Sequence, residues 1–529
     1  MESKITAEER YEQLLQYRHA YQQAAYNSAA LTIPALVPST SDSKNKDDRT
    51  RAQLPVPAQS LGARGVNNLS AKMLLALFPP NTPLFRYIVS ADIQMQSAPD
   101  ELTYVNEMLA ERESVVTSDI EQKKYRPKLI EAFKQLIVAG NVCLLLSEGQ
   151  IRVFRMDRYV VKRDPMGRVD TIIIRESFSQ ENLPERIQKI YDAKVKEGQE
   201  YDRDQEIDVY TCVKRKGKQF KEYQEVMGEK IEGSEGSFPV DSPRWLPLTF
   251  VRVDGEDYGR GYVEEYIGDL TTYDGLSRAI REDAAIAAQT IFMVDPNSPP
   301  GLEKALTNAP NGGFVRGDAG MVIASRVDKN ADMNVAAGTA EQLKADLSYA
   351  FLLNSAVQRT GDRVTAEEIR EVARELEDTQ GGIFSVLSEE LILPLVQAHE
   401  RQLESKNMIA PLPNNMVNPA ITTGFDAIGR NHDLVRLTGV LNDIGMLAQL
   451  NPEAVEYLNI PGMVAEIFLG HSVSAEGKML KPEEVQANKQ AQQESMMMQQ
   501  GAEATMDGLS KAVAPVASEV VGGIMQEGE

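Results

Sequence analysis

The sequence predicts an α+β protein that is mainly helical, and three observations support this fold class. Apolar side chains recur with a helical period towards both ends of the 529-residue chain. Between residues 142 and 226 the pattern changes to short runs of β-branched side chains separated by turn residues. A helical run of about forty residues starts near residue 365, and at 1.5 Å per residue it would span about 60 Å. We therefore expect an elongated subunit that contains a β-rich region.

Two helices are expected near the N-terminus. The first covers roughly the first thirty residues, starts with a capping box formed by Thr6 and Glu9, and ends before Pro34. The second follows Ser60, which we expect to cap it, and Pro79 stops it. The connecting residues 38–57 carry almost no large apolar side chains, so they are expected to form an exposed loop.

Two more helices are expected before the β-rich region, one over about 99–121 and one from Pro127 to Gly140. A single antiparallel sheet is then expected, because the strand candidates are short and separated by turn residues. The six strand candidates are residues 142–147, 151–156, 159–163, 169–175, 207–214 and 220–226.

Helical periodicity returns after the sheet. We expect one helix over 259–294, whose second half is rich in alanine and suits close helix packing. A loop-rich insertion with many prolines and glycines follows over 295–320, with a strand candidate at 321–327. A further helix is expected over 335–353.

The forty-residue helix is the clearest local signal. Thr365 and Glu368 form a second capping box at its start, and Gly381 and Pro394 are its expected bend points. After residue 481 the chain becomes rich in Gln, Met and Ala, so this tail is either flexible or helical only against neighbours.

Composition excludes several classes of function. The 56 basic and 78 acidic side chains give a net charge of −22, so the chain lacks the overall positive field of a protein that grips nucleic acid. Two cysteines cannot form a disulfide framework, which favours a reducing compartment. The start, MESKITAEER, has no apolar core of a signal peptide, and the longest apolar stretches, such as residues 136–146, are too short and too interrupted for a membrane span, so neither is expected.

No motif predicts a nucleotide or calcium site. The glycine pairs that start at Gly62 and Gly259 do not continue to Gly-Lys-Ser/Thr, so each is expected to mark a tight turn or a close backbone approach. The alternating Asp and Asn side chains after Asp328 resemble calcium ligands. However, Met333 replaces the glycine at the sixth position and Thr339 replaces the glutamate at the twelfth.

Metal and catalytic sites are not expected either. The four histidines are scattered, and we expect each to lie at the surface or at a helix end. No Cys-x-x-Cys or His-Glu-x-x-His pattern occurs, and Cys143 is expected to be a buried apolar residue. No convincing nucleophile motif or converging acid pair is present, so we predict no enzymatic activity, no cofactor and no metal. The four histidines are His19, His399, His432 and His471.

One polar loop, residues 354–368, is a candidate functional site. It joins two predicted helices and carries Asn354, Gln358, Arg359 and Arg363 in a chain with little positive charge. On composition alone, an ordinary solvated connector with its arginines paired to nearby glutamates explains the loop equally well.

Several long segments resemble the portal (head–tail connector) proteins of short-tailed, T7-like bacteriophages. The most specific is FLLNSAVQRTGDRVTAEEIREVARELEDTQGGIFSVLSEELILPLV at 351–396. The loop at 38–57, residues near 297–312 and the tail after about 480 match the family poorly. The other matching segments are LTIPALVP (31–38), LGARGVNNLSAKMLLALFP (61–79), FKQLIVAGNV (133–142), YVVKRDPMGRV (159–169), DGEDYGRGYVEEYIGDL (254–270) and TTGFDAIGR (422–430).

The resemblance implies a portal fold in a ring oligomer, usually of twelve copies, at one vertex of the capsid. Such a subunit has an α/β wing, a helical stem, a small clip insertion, a helical crown and a C-terminal helical barrel. Carried onto this chain, the parts are the wing (1–262), the first stem helix (263–294), the clip (295–334), the second stem helix (335–353), the tunnel loop with the long wing helix (354–429), the crown (430–480) and the barrel or flexible tail (481–529).

The resemblance also implies a mechanism. Twelve copies would carry a formal charge of about −264, so duplex DNA would slide through an acidic channel without adhering during packaging and ejection. The family places its tunnel loop after the second stem helix, which makes Arg359 and Arg363 candidate basic rings and Asn354 and Gln358 neutral neighbours.

Partners follow from the same resemblance. The ring would contact the major capsid protein and scaffold, dock the large terminase subunit and then the tail adaptor and nozzle proteins, and meet internal core proteins, without touching a membrane. It would assemble in the host bacterial cytoplasm and reside in the virion. Two other classes stay open at this point. They are another virion assembly protein, such as a scaffold or tail adaptor, and a cytosolic hydrolase.

Overall fold

The structure is a computed structural model that describes residues 5–38, 54–78, 84–89, 99–147, 149–196, 206–287, 291–294, 297, 300–310, 314–316, 322–325, 330–353, 383–410 and 417–420. The chain divides into two compact units. The first comprises Met1–Leu102 and Arg112–Arg430, and the second comprises Thr103–Glu111 and Asn431–Glu529. Only Thr103–Glu111 of the second unit is described, so the predicted crown and barrel lie outside the described residues.

Eleven helices are present in the described part of the chain. A π-helical turn, Ser388–Ile392, joins the tenth and eleventh, and short 3₁₀ turns cover Pro34–Leu36, Met156–Arg158 and Gln180–Asn182. The helices are α1 (Ala7–Ala30), α2 (Leu61–Leu77), α3 (Pro99–Gln122), α4 (Arg126–Ala139), α5 (Glu185–Lys196), α6 (Tyr262–Glu265), α7 (Ile267–Ala287), α8 (Leu302–Asn308), α9 (Asn330–Ala350), α10 (Ile383–Leu387) and α11 (Leu393–Ser405).

The described strands form four antiparallel sheets. A three-stranded sheet has the order β10-β2-β3, and a larger sheet has the order β4-β5-β6-β7, with β8 and β9 both pairing with β7. Two-stranded pairs join β1 to β13 and β11 to β12. The strands are β1 (Arg86–Val89), β2 (Asn141–Ser147), β3 (Gln150–Phe154), β4 (Tyr159–Arg163), β5 (Val169–Phe178), β6 (Ile207–Lys216), β7 (Gln219–Val226), β8 (Glu229–Lys230), β9 (Gly236–Pro239), β10 (Trp245–Thr249), β11 (Ile291–Val294), β12 (Val322–Ser325) and β13 (Val417–Ala420).

The large sheet is covered by helices on both faces. On one face, α1 packs its apolar side chains, among them Tyr11 and Leu14, against Val160, Ile173 and Tyr210. On the other face, α5 contributes to a second cluster around Ile187, Val209 and Val226. The alternation of side chains along β6 explains this arrangement, because successive residues of a strand point to opposite faces.

The predicted start of α1 is confirmed. Ser60 lies at the N-cap position of α2 as predicted, but its side chain forms no capping hydrogen bond. The Thr6 hydroxyl accepts a hydrogen bond from the Glu9 amide at 3.1 Å, and the Glu9 carboxylate accepts one from the Thr6 amide at 2.9 Å. Ser60 makes no such contact. The neighbouring Gln59 replaces it, because its side-chain oxygen accepts a hydrogen bond from the Gly62 amide at 2.8 Å. A longer side chain one residue earlier thus performs the capping role.

The six strand candidates are confirmed, but the prediction that they form one sheet is wrong. The chain makes a 3₁₀ turn between β3 and β4, which separates two sheets. The first sheet is completed by β10, which was not predicted because Pro247 interrupts its apolar pattern. Pro247 is tolerated because β10 is an edge strand of this sheet.

The helix predicted over 259–294 is correct only in part. Helical structure covers Tyr262–Glu265 and Ile267–Ala287, whereas Ile291–Val294 is β11 and pairs with β12 in the predicted strand region 321–327. The four residues of β11 are β-branched, aromatic or unbranched apolar residues that suit a strand as well as a helix. The insertion also contains a short helix, α8, which the surrounding prolines and glycines concealed.

The long helix predicted from residue 365 is described only from Ile383. From there it runs to Ser405, and a π-helical turn lies at Ser388–Ile392, next to the predicted bend point Pro394. Proline has no amide hydrogen to donate to the preceding turn, so the irregular hydrogen bonding falls beside it. The first part of the predicted helix, with Thr365, Glu368 and Gly381, lies outside the described residues.

The prediction for Cys143 is confirmed, whereas the prediction for His399 is wrong. Cys143 is fully buried, as predicted. His399 contradicts the prediction of a surface or helix-end residue, because it lies within α11 and is 3% exposed. It is accommodated in the core because both of its ring nitrogens have hydrogen-bond partners. Among the helices that the structure describes, none combines the length and apolar character needed to cross a membrane.

Candidate functional site

Helices α7 and α9 pack against each other and are called the helical pair below. The antiparallel strands β11 and β12 lie between them in sequence, so the pair and its connection form one continuous excursion of the chain. This is the arrangement expected for two stem helices that flank a small insertion. The residues that follow α9 are the predicted site.

The helical pair is acidic. Its sequence contains seven carboxylates against three basic side chains, which is a net charge of 3 − 7 = −4 for each chain. Such a surface repels the phosphate groups of a nucleic acid. The carboxylates are Asp269, Asp274, Glu282, Asp283, Asp332, Glu341 and Asp346, and the basic groups are Arg278, Arg281 and Lys344.

The helical pair exposes apolar side chains and helix-interior glycines. Val335 is 72% exposed and Tyr349 is 75% exposed. Gly268, Gly275 and Gly338 face open space, because a Cβ atom placed on any of them would meet no described atom within 4 Å. Glycine inside a helix costs about 1 kcal/mol relative to alanine, and packing among the described residues of the chain gives no reason for that cost.

The C-terminal end of α9 is fixed by three aromatic residues, Tyr262, Tyr266 and Phe351, which pack beside Gly65. We call these four residues the root cluster. The Phe351 ring is fully buried and packs edge-on against Tyr262, with ring centroids 5.8 Å apart and an angle of 88° between the planes. It also approaches the backbone of α2 so closely that a Cβ atom on Gly65 would lie 2.6 Å from Phe351 Cγ. The absence of a side chain at Gly65 is therefore a packing requirement, as the sequence suggested for this glycine pair.

Polar groups hold the backbone at the same place. The Asn68 side-chain amide donates hydrogen bonds to the carbonyl oxygens of Phe351 at 3.1 Å and Leu352 at 2.9 Å, and Lys72 donates to Leu352 at 3.2 Å. The Tyr262 hydroxyl donates to the Ala350 carbonyl at 2.8 Å. These bonds satisfy carbonyls that the end of a helix leaves without partners. They also hold Leu352 in the left-handed region, with φ of +53°.

Helix α7, the other helix of the pair, is attached to the segment before α2 by a buried carboxylate. Asp274 accepts hydrogen bonds from the backbone amides of Ala58 at 2.6 Å and Gln59 at 3.2 Å. Arg278, one turn further along α7, also donates to Asp274 at 3.2 Å. Because the acceptor is charged, these hydrogen bonds are stronger than neutral ones. They fix the first half of α7 against the segment that leads into α2.

The predicted site residues Asn354, Gln358, Arg359 and Arg363 all lie outside the described residues. The structure describes the segment directly before Asn354, and the root cluster fixes the position of that segment. After the predicted site in sequence, the described residues resume at α10 and α11.

A buried ionic network docks α11 onto β1 and α3. Arg112 donates a hydrogen bond from Nη2 to Glu404 at 2.6 Å and from Nε to the Tyr87 hydroxyl at 2.9 Å. Tyr87 in turn donates to the carboxylate of Glu400, which lies 3.7 Å from Arg112. Burial raises the pKa of Glu400, although Tyr87 and Arg112 both favour its charged form. One buried cation thus serves two carboxylates on adjacent turns of α11.

A second buried chain of hydrogen bonds lies one residue away on α11. His399 Nδ1 is 2.6 Å from a carboxylate oxygen of Asp119, and His399 Nε2 is 2.8 Å from the Tyr125 hydroxyl. Burial lowers the pKa of His399, although Asp119 favours the protonated ring. Burial also raises the pKa of Tyr125. Together with the Arg112 network, this chain of bonds holds one face of α11 firmly against α3 and the start of α4.

The described residues offer no recognisable reactive chemistry. No group of three or more His, Cys, Asp or Glu side chains among them converges to hold a metal ion. Both cysteines are buried, and burial raises the pKa of each thiol. Beside the predicted site, the structure shows an acidic helical pair whose end is held in place by the root cluster.

Sequence reasoning did not identify the root cluster or the Arg112 network. Phe351 and Arg112 lie in ordinary helical patterns, and only the long-range packing reveals their partners. The one available signal was Gly65, whose position inside a predicted helix indicates a close approach by another element.

Comparison with known proteins places the chain in a family. A sequence profile described as "Bacteriophage head to tail connecting protein" matches residues 4–479. The portal protein of Escherichia phage T7 is 39% identical over 511 residues, which are 94% of this chain and 93% of that protein. The portal protein of Enterobacteria phage T3 is 39% identical over 95% of this chain and 92% of its own length, and that of Enterobacteria phage SP6 is 28% identical over 95% and 94%. The chain therefore belongs to the bacteriophage head-to-tail connecting protein family, which confirms the resemblance found in its sequence.

Proposed function

We propose that this chain is a phage portal protein that forms a closed ring of twelve copies at one capsid vertex. The ring is the channel through which double-stranded DNA is packaged and later ejected. The observation that carries this proposal is the near-full-length similarity to portal proteins. The role is structural and needs no catalytic group.

The parts of the ring follow from the order of the elements. In this proposal residues 1–262 are the wing, the helical pair is the stem, and the β11–β12 region is the clip. Residues 354–429 supply the tunnel loop and the long wing helix, 430–480 the crown, and 481–529 the barrel or tail. The described elements support the stem assignment in particular, because α7 and α9 pack together and flank the small insertion.

The exposed surfaces of the helical pair support assembly into a ring. In a closed ring each copy covers its neighbour through the same repeated contact. Neighbouring copies would bury Val335 and Tyr349 and would allow close helix approach at Gly268, Gly275 and Gly338. The cost of these glycines in an isolated chain would then be offset in the assembly.

Charge supports the passage of DNA. With −4 on each helical pair, twelve copies would place about −48 around the channel, which repels a phosphate backbone along its whole length. The tunnel-loop arginines Arg359 and Arg363 would form two narrow basic rings in this acidic wall. They would centre or slow the duplex without gripping it throughout.

The proposed partners follow from the place in the virion. The wing would meet the major capsid protein and scaffold, and the clip would dock the large terminase subunit and later the tail adaptor and nozzle proteins. The crown side would meet internal core proteins. Assembly would take place in the host bacterial cytoplasm before incorporation into the virion.

The molar mass of the purified protein tests the ring. Light scattering coupled to size exclusion is expected to give about 0.7 MDa, which is twelve times the 58.6 kDa chain in a closed ring. End-on electron micrographs are expected to show a central hole. A stable monomer of 58.6 kDa would contradict the proposal.

Charge reversal in the tunnel loop tests the DNA contact. The double variant Arg359→Glu and Arg363→Glu is expected to form normal rings but to change DNA packaging or retention several-fold, because two basic rings become acidic. Lys128→Glu with Lys189→Glu is the matched control, since it makes the same charge change at exposed wing positions. Genome content and retention equal to wild type in the first variant would reject the tunnel-loop assignment.

A further inference from the structure

A strongly basic hairpin stands out on this acidic chain. The hairpin formed by the end of β6 and the start of β7, residues 214–221, carries five basic side chains within eight residues and no carboxylate. Lys214, Lys216, Lys218 and Lys221 are exposed, and we call these four the lysine hairpin. In a protein with a net charge of −22, this concentration of positive charge needs a local explanation.

The register of the hairpin makes the charges oppose each other. Lys214 lies directly opposite Lys221 on the neighbouring strand, and Lys216 lies opposite Gln219. Like charges in directly opposite positions destabilise a strand pair. The arrangement therefore weakens the hairpin in the free protein, and an anionic ligand that binds between the lysines would remove the repulsion.

The hairpin also forms one wall of a groove of about 910 Å³. The groove is lined by Thr6, which directly precedes α1, and by residues of the large sheet that include Lys214 and Lys221. Tyr223 contributes an aromatic surface to the lining, and Lys230 stacks on its ring with Nζ 4.1 Å from the centroid. The groove is therefore lined by four lysines, an aromatic ring and three carboxylates.

The three carboxylates that line the groove, Glu222, Glu225 and Glu235, each have a partner, and Glu235 lies 3.9 Å from Lys230. Glu225 accepts a hydrogen bond from the Ala7 amide at 2.7 Å, and Glu222 accepts hydrogen bonds from Arg244 at 3.2 Å and from the Trp245 ring nitrogen at 3.0 Å. Within the described ranges, no carboxylate lies within 4.0 Å of any amino group of the lysine hairpin. Among the described residues, these four amino groups therefore have no carboxylate partner.

We propose that the lysine hairpin and its groove dock an acidic, extended segment of a partner protein. Alternate side chains of an extended peptide repeat about every 6.8 Å on one face, which is also the spacing of Lys214 and Lys216 along β6. Carboxylates at alternate positions of such a segment can therefore pair with successive lysines. The inference does not depend on the copy number of the ring or on the tunnel loop.

Charge around the patch favours a peptide over a DNA duplex. The adjoining residues Glu229 and Glu232 are exposed and acidic. A rigid duplex laid across the hairpin would bring its phosphates against these carboxylates, whereas a narrow peptide can follow the groove alone. With only four lysines, the patch also neutralises too few phosphates to hold a duplex at physiological salt.

The test uses the assembled full-length protein and a fluorescent peptide of alternating glutamate and serine, followed by fluorescence anisotropy. Lys214→Gln with Lys221→Gln is expected to weaken binding about tenfold, because two charged contacts are lost. Lys128→Gln with Lys189→Gln removes the same charge elsewhere on the surface and is expected to leave the affinity unchanged. Lys221→Glu is expected to raise the unfolding temperature while abolishing peptide binding, because Lys214 then faces an opposite charge.

Three results would overturn the inference. One is equal peptide affinity in the lysine variant and wild type. Another is tighter binding of a short DNA duplex than of the acidic peptide at 150 mM salt, with loss of that binding in the lysine variant. The third is a lower oligomer mass in the lysine variant, which would assign the hairpin to a contact between copies of this chain.

Discussion

Replacing Phe351 with alanine is expected to lower the free energy of unfolding by about 3–5 kcal/mol. The Phe351 ring is fully buried between Tyr262, Tyr266 and the backbone of α2 at Gly65. The surroundings cannot collapse into the space, because polar contacts to the backbone of Phe351 and Leu352 hold the end of α9 in place. Chemical denaturation followed by tryptophan fluorescence and circular dichroism would measure the loss.

The matched control is an exposed tyrosine on α1. Tyr17 is 64% exposed, so Tyr17→Ala removes a similar aromatic ring and is expected to change the stability of the chain by less than about 1 kcal/mol. Equal losses in the two variants would mean that the root cluster does not anchor α9.

A second variant tests the contact between Phe351 and Gly65 directly. Gly65→Ala places a methyl group 2.6 Å from the Phe351 ring and is expected to destabilise the wild-type protein. In a Phe351→Ala background the ring contacts are gone and only the contact with Cβ of residue 351, at 2.8 Å, remains, so the cost is expected to fall in part. Non-additive effects of this kind are the signature of residues in contact.

The root cluster matters for function because of its place in the chain. Leu352 adopts a left-handed backbone conformation with φ of +53°, and Asn68 and Lys72 bind its carbonyl oxygen. The predicted tunnel loop begins two residues later. In the proposed ring, twelve copies of this anchor would set the starting direction of every tunnel loop, so loosening it would make the positions of these loops less uniform.

Sequence periodicity predicted local structure well where a single signal dominated. The capping box at Thr6, the turn at Gly140 and the strands of the large sheet are each encoded by adjacent residues. The signal failed where local preference and tertiary pairing compete. Ile291–Val294 continues an apolar helical pattern, yet it pairs with β12 because a partner strand is available nearby in space.

Composition and similarity identify the loop 354–368 as the candidate site, but they do not predict the residues that anchor the chain directly before it. The loop arginines stand out because the chain as a whole is acidic, with a net charge of −22. Arg112 and His399 do not stand out, since each lies in an ordinary helix and acquires its role from residues hundreds of positions away. A single sequence carries no record of such long-range pairs, and only the folded chain shows them.

Replacing Arg112 with methionine is expected to cost about 3–5 kcal/mol of stability, because a buried cation is removed while its carboxylate partners remain. Glu400 is only 12% exposed and would keep its negative charge without the guanidinium. Lys128→Met is the matched control. Lys128 forms an exposed pair with Glu131 at 3.0 Å, and the loss of such a pair costs at most about 1 kcal/mol.

The loss in the Arg112→Met protein is expected to depend on pH. Burial already raises the pKa of Glu400 above its ordinary value, and removal of the nearby cation raises it further. A carboxyl whose pKa is higher in the folded than in the unfolded state stabilises the fold below the unfolded pKa of about 4.3, and this contribution disappears as pH rises through the folded pKa. The stability difference from wild type is therefore expected to be larger at pH 8 than near pH 5.

A double variant separates the buried charge from lost packing. Glu400→Gln removes the carboxylate that Arg112 leaves behind, while the amide can still accept a hydrogen bond from Tyr87. The Arg112→Met, Glu400→Gln protein is therefore expected to be more stable than Arg112→Met alone at pH 8, and its difference from wild type is expected to vary less with pH. A double variant as unstable as the single one at every pH would show that Arg112 acts through its packing. The docking of α11 would then rest on the apolar contacts of the helix and on His399, and the ionic network would be a minor contributor.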